Sequence, residues 1–196
     1  WVVHSTHWVT TFNWYVTHQP QHEGVCVGEE CPDLIPGIDY SIRGHPEFAA
    51  ALSNAIEKAG FSGRQSRTLN HRFDYGSLVP LTYLDPNFSL PVVLLGCCVM
   101  ADISECMAVG AAVSQAAKES GRRVGFLAST ALSHRLVRGP DRWPTDDEQS
   151  RDREFIDLVC CGNIDQARAQ FVAYSRAVTA EMGGRNLATF LGTLDS

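Results

Sequence analysis

The sequence predicts a single α/β domain in which helices flank a mostly parallel central sheet. Two continuous apolar runs, residues 90–96 and 124–129, are typical of strands that are buried on both faces. A helical pattern over residues 104–120 separates the runs, which gives the strand–helix–strand order of a right-handed parallel crossover. The length of 196 residues is enough for one hydrophobic core.

The remaining elements follow in chain order. Residues 1–7 predict a first strand that ends at His7, and residues 46–60 predict a helix that begins with a proline and ends with a glycine. Residues 17–40 contain three prolines and three glycines. We expect them to form a long irregular segment, which is a common way to cover a site. Shorter predictions are a strand at 64–69, a turn at 74–76, a helix at 77–84 interrupted near Pro80, and helices at 148–161, 164–182 and 186–191.

The composition excludes several classes of partner. The formal net charge of −6 argues against binding to a nucleic-acid backbone and offers no attraction to an anionic membrane. No apolar run reaches the ~20 residues that a membrane-spanning helix needs. The seven cysteines lack zinc-ribbon spacing, and the pairs Cys97-Cys98 and Cys160-Cys161 lie in apolar runs where we expect burial. Reduced thiols and a cytoplasmic location are the expected consequence.

Four residues are candidates for chemistry by position. His7 and His134 follow predicted strands, at the edge where open α/β sheets bind ligands, although a structural histidine is the commoner outcome. Glu181 lies in the last turn of a predicted helix, where the helix dipole disfavours a carboxylate. A bound cation would reverse that effect, and an exposed glutamate that tolerates the small cost is the alternative. Tyr75 is equally consistent with a core tyrosine and with an acid–base group.

Two histidine pairs give weaker signals. His4 and His7 are three residues apart, so a regular strand points them to opposite faces. His18 and His22 have the spacing of metal ligands on a helix, but Pro20 between them disfavours that helix. Neither pair predicts a metal site by itself.

Four segments, in chain order, resemble the class III extradiol ring-cleaving dioxygenases. Residues 2–10 are similar to the family strand that ends in an iron-binding histidine, and residues 127–134 to the strand and loop that carry the catalytic histidine. Residues 72–77 resemble the segment in which the catalytic β subunits of aminophenol-cleaving members have tyrosine in place of histidine. Residues 180–181, followed by 189–190, resemble the segment that supplies the iron-binding glutamate. All four segments occur in the same order as in the family, which makes the resemblance fairly specific.

The resemblance implies a non-haem iron(II) enzyme that opens an aromatic ring with O₂. His7 and Glu181 would be two ligands of a facial triad, whose other histidine lies in a family segment upstream of residue 1. His134 would take and return a substrate proton, because histidine titrates near neutrality. Tyr75 would orient the substrate, since tyrosine is ordinarily a poorer base at pH 7. Asn186 is a rival match to the glutamate position, and it would leave the site without its carboxylate.

The chain opens inside a predicted strand, so we expect residues 1–196 to be a catalytic domain without its N-terminal segment and C-terminal end. The implied substrate is a catechol or a 2-aminophenol, with Tyr75 favouring the aminophenol, and the implied assembly is a homo-oligomer or an αβ hetero-oligomer. One alternative is a non-catalytic, metal-free subunit, against which His7 and His134 argue. Another is a binding or hydrolytic protein with a different metal, such as zinc.

Overall fold

Short parallel strands form the centre of the computed structural model, which describes residues 1–29, 31–135 and 143–195. The strands are β1 (Val2–Ser5), β2 (Val9–Thr10), β3 (Trp14–Thr17), β4 (Gln21–Cys26), β5 (Ile38–Arg43), β6 (Gly63–Ser66), β7 (Val93–Leu94), β8 (Cys97–Cys98) and β9 (Phe126–Ser129). The helices are α1 (Pro46–Lys58), α2 (Tyr75–Leu84), α3 (Ile103–Ser120), α4 (Asp146–Cys160), α5 (Ile164–Ala177), a 3₁₀ segment (Glu181–Gly184) and α6 (Arg185–Thr193).

The central sheet has the order β7-β1-β9, and both pairings are parallel. Val2 of β1 lies opposite Val93 on one side and Phe126 on the other. The pairs β2–β8 and β3–β6 are also parallel, and β4–β5 is antiparallel. The prediction of a mostly parallel α/β fold is therefore confirmed.

Consecutive residues of β1 pack on opposite faces of the sheet. Val2 belongs to an apolar cluster that includes Leu52 of α1. Val3 belongs to a second cluster that includes Ile42 of β5 and Leu78 of α2. Because both faces are covered, the strands read as continuous apolar runs rather than as alternating ones.

Residues 17–40 contain more regular structure than predicted. β4 pairs with β5 in register from Gln21 opposite Arg43 to Cys26 opposite Ile38. Gly24 lies within β4. Glycine suits this position because a Cβ there would be 2.8 Å from the Tyr40 hydroxyl oxygen across the hairpin. The glycine that suggested a loop therefore makes room for a cross-strand tyrosine.

Two predicted boundaries near the candidate residues are wrong. α2 begins at Tyr75, so residues 74–76 start a helix rather than form a separate turn, and Pro80 lies inside the helix without interrupting it. α5 ends at Ala177, so Glu181 starts a separate 3₁₀ segment and the dipole argument made for it does not apply.

Two predictions of burial are also wrong. Cys97 and Cys98 are buried as expected, but Cys160 and Cys161 are exposed, since the end of α4 faces solvent. β9 is only partly buried, because it pairs with β1 alone among the described strands and forms a sheet edge. Within the described ranges, no helix has both the length and the apolar character needed to cross a bilayer.

Candidate active site at the carboxyl end of the first strand

The first turn of α2 packs against the end of β1. Asp74 caps this helix by accepting hydrogen bonds from the Ser77 backbone N (2.9 Å) and hydroxyl (2.8 Å), and it also accepts one from the Ser5 hydroxyl (2.6 Å). A Cβ at Gly76 would lie 2.6 Å from Ser5 Oγ and 2.9 Å from His7 Cδ2. Glycine at this position therefore allows the helix to approach the strand end closely.

This approach brings the rings of His7 and Tyr75 together. Their centroids are 4.2 Å apart, with an interplanar angle of 46°. His7 follows β1 directly and is exposed, and its backbone N donates to Ser5 Oγ (3.1 Å). A cavity of about 260 Å³ adjoins the two rings. Its other lining residues are Val25, Val27, Glu29, Arg72, Phe73 and Asp74.

Glu181 lies beside the residue that precedes His7. The Thr6 hydroxyl donates to Glu181 Oε1 (2.8 Å), and the Ala131 backbone N donates to Oε2 (2.7 Å). The imidazole Nε2 of His134 lies 3.9 Å from Oε1. Two fixed donors orient the carboxylate, and each oxygen keeps a further lone pair for another partner.

The backbone around the 3₁₀ segment is strained. Thr179 and Met182 have φ values of 52° and 50°, which are left-handed conformations that cost L residues roughly 1–2 kcal/mol each. Ala180 forms an isolated antiparallel bridge with Ser133, and the His134 backbone N donates to the Val178 carbonyl (3.4 Å). The loop after β9 is thereby joined to this strained turn, and strain of this kind is typical of functional sites.

Comparison with known proteins gives the family. A family model described as the catalytic LigB subunit of aromatic ring-opening dioxygenase matches residues 2–196. The chain belongs to this family. The resemblance seen in the sequence is therefore confirmed.

Three relatives show the range of the family. The chain is 26% identical over 155 residues to 3,4-dihydroxyphenylacetate 2,3-dioxygenase from Escherichia coli, covering 79% of this chain and 55% of that protein. It is 30% identical over 140 residues to the 2-aminophenol 1,6-dioxygenase beta subunit of Pseudomonas sp, covering 68% and 46%. It is 26% identical over 164 residues to the alpha subunit of that dioxygenase, covering 81% and 60%. The LigB-family chain thus spans about half the length of the curated relatives it matches.

A solved structure supports the fold alone. An uncharacterized protein from Escherichia coli K12 superposes with a TM-score of 0.71 at 20% identity, covering 99% of this chain and 75% of that one.

In this LigB-family chain, Glu181 and Asn186, the two candidates for the carboxylate position, have different surroundings. Asn186 is fully buried under β1, where its Nδ2 donates to the His4 carbonyl (3.1 Å). Glu181 lies at the strand end, with His134 beside it. We therefore retain Glu181 as the candidate ligand.

The other histidines of β1 and β4 have core environments. His4 is fully buried, with Nδ1 2.9 Å from the Leu95 carbonyl oxygen, and burial lowers its pKa to about 4. Burial, together with a smaller contribution from the neighbouring His71, lowers the pKa of His22 to about 4. His22 is on a strand, so the helical metal spacing with His18 has no structural counterpart.

Sequence reasoning missed the residues that position the site. Ser5, Thr6 and Ala131 fix the acidic groups, and Asp74 is a helix cap. The sequence does carry one signal for the cap, since aspartate three residues before Ser77 matches the N-cap pattern. Hydroxyls directly before a candidate ligand at a strand end were a second, weaker signal.

The types of side chain present are those of a ferrous site. An imidazole and a carboxylate are ligand types of the facial triad in non-haem iron(II) oxygenases. Within the part of the chain that the structure describes, no group of three or more His, Cys, Asp or Glu side chains could hold a metal ion on its own.

Proposed function

We propose that this LigB-family chain carries the catalytic site of an iron(II)-dependent dioxygenase that cleaves the ring of a 2-aminophenol or a catechol with O₂. The observation that supports it most is that both candidate ligands lie at the carboxyl end of β1. Glu181 accepts a hydrogen bond from Thr6, the residue before His7, and has His134 beside it, while the His7 ring packs on Tyr75.

The chain would supply two of the three protein ligands. We propose His7 and Glu181 for these, with a further histidine from outside the 196 residues. This donor set leaves coordination positions open for small molecules. Bound iron(II) would supply the redox link between the ring and O₂.

The surrounding donors prepare Glu181 for this role. Because the Thr6 hydroxyl and the Ala131 N–H donate to different oxygens of the carboxylate, they fix its direction. Groups that hold a ligand in this way strongly affect metal affinity.

His134 is the proposed acid–base residue and Tyr75 the proposed positioning residue. The His134 side chain is 37% exposed, so it can exchange protons with solvent, and its Nε2 lies 3.9 Å from Oε1 of the proposed ligand Glu181. It would take a proton from a ring hydroxyl and return it to the product. The Tyr75 ring, packed beside His7, would orient the substrate from the cavity side.

Similarity to an α subunit as well as a β subunit favours a second candidate function. In it, the chain is a non-catalytic subunit of a hetero-oligomeric dioxygenase. The catalytic proposal includes an αβ assembly or a homo-oligomer, the non-catalytic one includes an αβ assembly, and both include a location in the cytoplasm.

The test is anaerobic reconstitution of the full-length protein with iron(II), followed by metal analysis and O₂ uptake with 2-aminophenol and with catechol. The proposal expects bound iron and O₂ consumption with at least one ring. A protein that binds no iron, or binds it and consumes no O₂ with either ring, would favour the non-catalytic subunit.

The role of His134 has its own test. His134→Ala should keep the iron and lower kcat about 10²–10⁴-fold, as expected for loss of an acid–base group. His45→Asn is the control, because it keeps a cap for α1 at the opposite end of the sheet. Loss of iron in His134→Ala would contradict an acid–base role and indicate a ligand.

A further inference from the structure

The loop that carries His134 is also bonded to helix α4. The Ser133 backbone N donates to Asp152 Oδ2 (3.2 Å). Ser133 also forms the bridge to Ala180, and His134 follows it directly in the chain. The backbone next to the proposed acid–base residue is therefore held by two separate parts of the chain, the strained turn around Glu181 and a carboxylate of α4.

Asp152 is itself fixed by helix α5. The Tyr174 hydroxyl donates to Asp152 Oδ1 (2.8 Å). The Tyr174 ring stacks on Phe155, with centroids 4.5 Å apart and an interplanar angle of 7°. Asp152 and Phe155 are three residues apart, so they lie on the same face of α4. The packing of α4 on α5 therefore sets the direction of the Asp152 carboxylate.

The two oxygens of Asp152 have separate partners. Oδ1 accepts from Tyr174, and Oδ2 accepts from Ser133. Burial and the hydrogen bond to Asp152 raise the pKa of Tyr174, so the phenol keeps its proton and remains a donor. A side chain that is bonded at both oxygens and packed between two helices keeps little rotational freedom, so it can hold the Ser133 N–H in one place.

A second acidic residue of α4 contacts the same loop but contributes less. Glu148 Oε1 lies 3.6 Å from Arg135 Nη1. The Arg135 side chain is 64% exposed, and ion pairs of exposed groups contribute little to stability because water screens them. The bond between Ser133 and Asp152 is partly buried. Of the two contacts, the one made by Asp152 is therefore the one that can fix the position of the loop.

We propose that Asp152 is a positioning residue that holds His134 in place for proton transfer, and that Tyr174 supports it. The proposal rests on the proposed function, because it takes His134 as the acid–base residue. Asp152 bonds to the backbone of Ser133, so it acts through the placement of the loop. Placement matters at this scale, since a shift of about 1 Å in a catalytic group can cost about 100-fold in rate.

The test measures kcat, the iron content and the dissociation constants of 2-aminophenol and catechol under argon, in the full-length protein reconstituted with iron(II). Asp152→Ala removes both contacts of the carboxylate. Asp152→Asn keeps an acceptor for the Ser133 N–H, and Tyr174→Phe keeps the ring that stacks on Phe155. The control is Asp157→Ala, which removes an exposed aspartate of the same helix.

Asp152→Ala should lower kcat about 10- to 100-fold and leave the iron content and both dissociation constants within about twofold, because only proton transfer is affected. Tyr174→Phe should lower kcat by roughly 3- to 10-fold, the usual range for loss of one hydrogen bond. Asp152→Asn should recover most of the rate, and Asp157→Ala should change nothing. In a His134→Ala background, Asp152→Ala and Tyr174→Phe should cause no further loss, because both act through His134.

An unchanged kcat in Asp152→Ala, loss of iron from it, or an equal loss of kcat in the His134→Ala background would overturn the proposal. If Asp152→Ala does not fold, Tyr174→Phe with and without His134→Ala makes the same decision. If no protein turns over either ring, the proposed function fails, and hydrogen exchange of the Ser133 and His134 amides decides whether Asp152 fixes the loop. Faster exchange in Asp152→Ala than in Asp157→Ala would support that role, and equal exchange would overturn it.

Discussion

His4 and His7 are three residues apart, yet one lies in the core and the other at the rim of the sheet. His4 is fully buried on β1, and its Nδ1 is paired with the Leu95 carbonyl. His7 has left the strand, is exposed, and packs its ring on Tyr75. The point at which the chain leaves the sheet therefore decides which histidine is available for chemistry.

The two ends of the sheet differ in a similar way. A cavity of about 620 Å³ lies at the amino ends of the strands, where Val2, Val93 and Gly125 line it. It is larger than the cavity beside His7, but none of the four candidate site residues lines it. His45, its imidazole, uses Nδ1 to cap α1. The residues that line a cavity are therefore a better guide to the site than its size.

The largest expected effect distinguishes the candidate ligands at the end of β1 from the buried His4. His7→Ala and Glu181→Ala should each release the iron of the reconstituted full-length protein and reduce ring cleavage to background, since each removes a proposed ligand. His4→Ala should instead lower the free energy of unfolding by about 3 kcal/mol, because it empties a fully buried position. Metal analysis and urea denaturation of the three variants measure this contrast.

Normal iron content in His7→Ala or Glu181→Ala would contradict the ligand assignment. Loss of iron from a His4 variant that remains folded would contradict the interpretation of His4 as a purely structural residue.

The next effect uses pH to probe the core histidines. Burial lowers the pKa of His4 and of His22 from 6.5 to about 4. Between these values the unfolded chain binds protons that the folded chain does not, so stability falls as the pH drops from 6.5 towards 4. We expect a loss of about 2 kcal/mol per histidine at pH 5 relative to pH 7.5, measured by urea denaturation.

His22→Gln serves as the comparison, because it removes one of the two histidines whose pKa is lowered to about 4. Its loss of stability between pH 7.5 and pH 5 should be smaller than that of the unmodified protein by about 2 kcal/mol. An identical pH dependence in both proteins would contradict the assignment to His22.

The sequence predicted the fold better than the surroundings of the site, for physical reasons. Apolar runs and helix patterns report burial, which is why the mostly parallel sheet and most helices could be expected. The turn around Glu181 could not be expected in full, because two of its left-handed positions, Thr179 and Met182, are not glycine. The Glu181 bonds to Thr6 and Ala131 join distant parts of the chain, and no local pattern encodes such contacts.

A smaller effect is expected when Glu181 is kept and a hydrogen-bond donor that orients it is removed. Thr6→Val deletes the hydroxyl that donates to Glu181 Oε1 with little change in shape. Iron affinity should fall about 10- to 100-fold, as is usual for groups that orient a ligand. Competitive chelator titration of the full-length protein measures it, with Thr82→Val on α2 as the control. Unchanged affinity would show that Ala131 alone is enough to orient Glu181.

The smallest predicted effect tests the contact between α2 and β1. In Gly76→Ala the new Cβ would lie 2.6 Å from Ser5 Oγ and 2.9 Å from His7 Cδ2, so one of these groups must shift. A ligand displaced in this way should lower kcat/KM by roughly tenfold while the fold persists, since precise placement is what the site supplies. The double variant Ser5→Ala/Gly76→Ala removes the first close contact but keeps the second. Partial recovery in the double variant would indicate that both contacts act, and full recovery would assign the effect to Ser5 and the Asp74 cap rather than to the His7 ring.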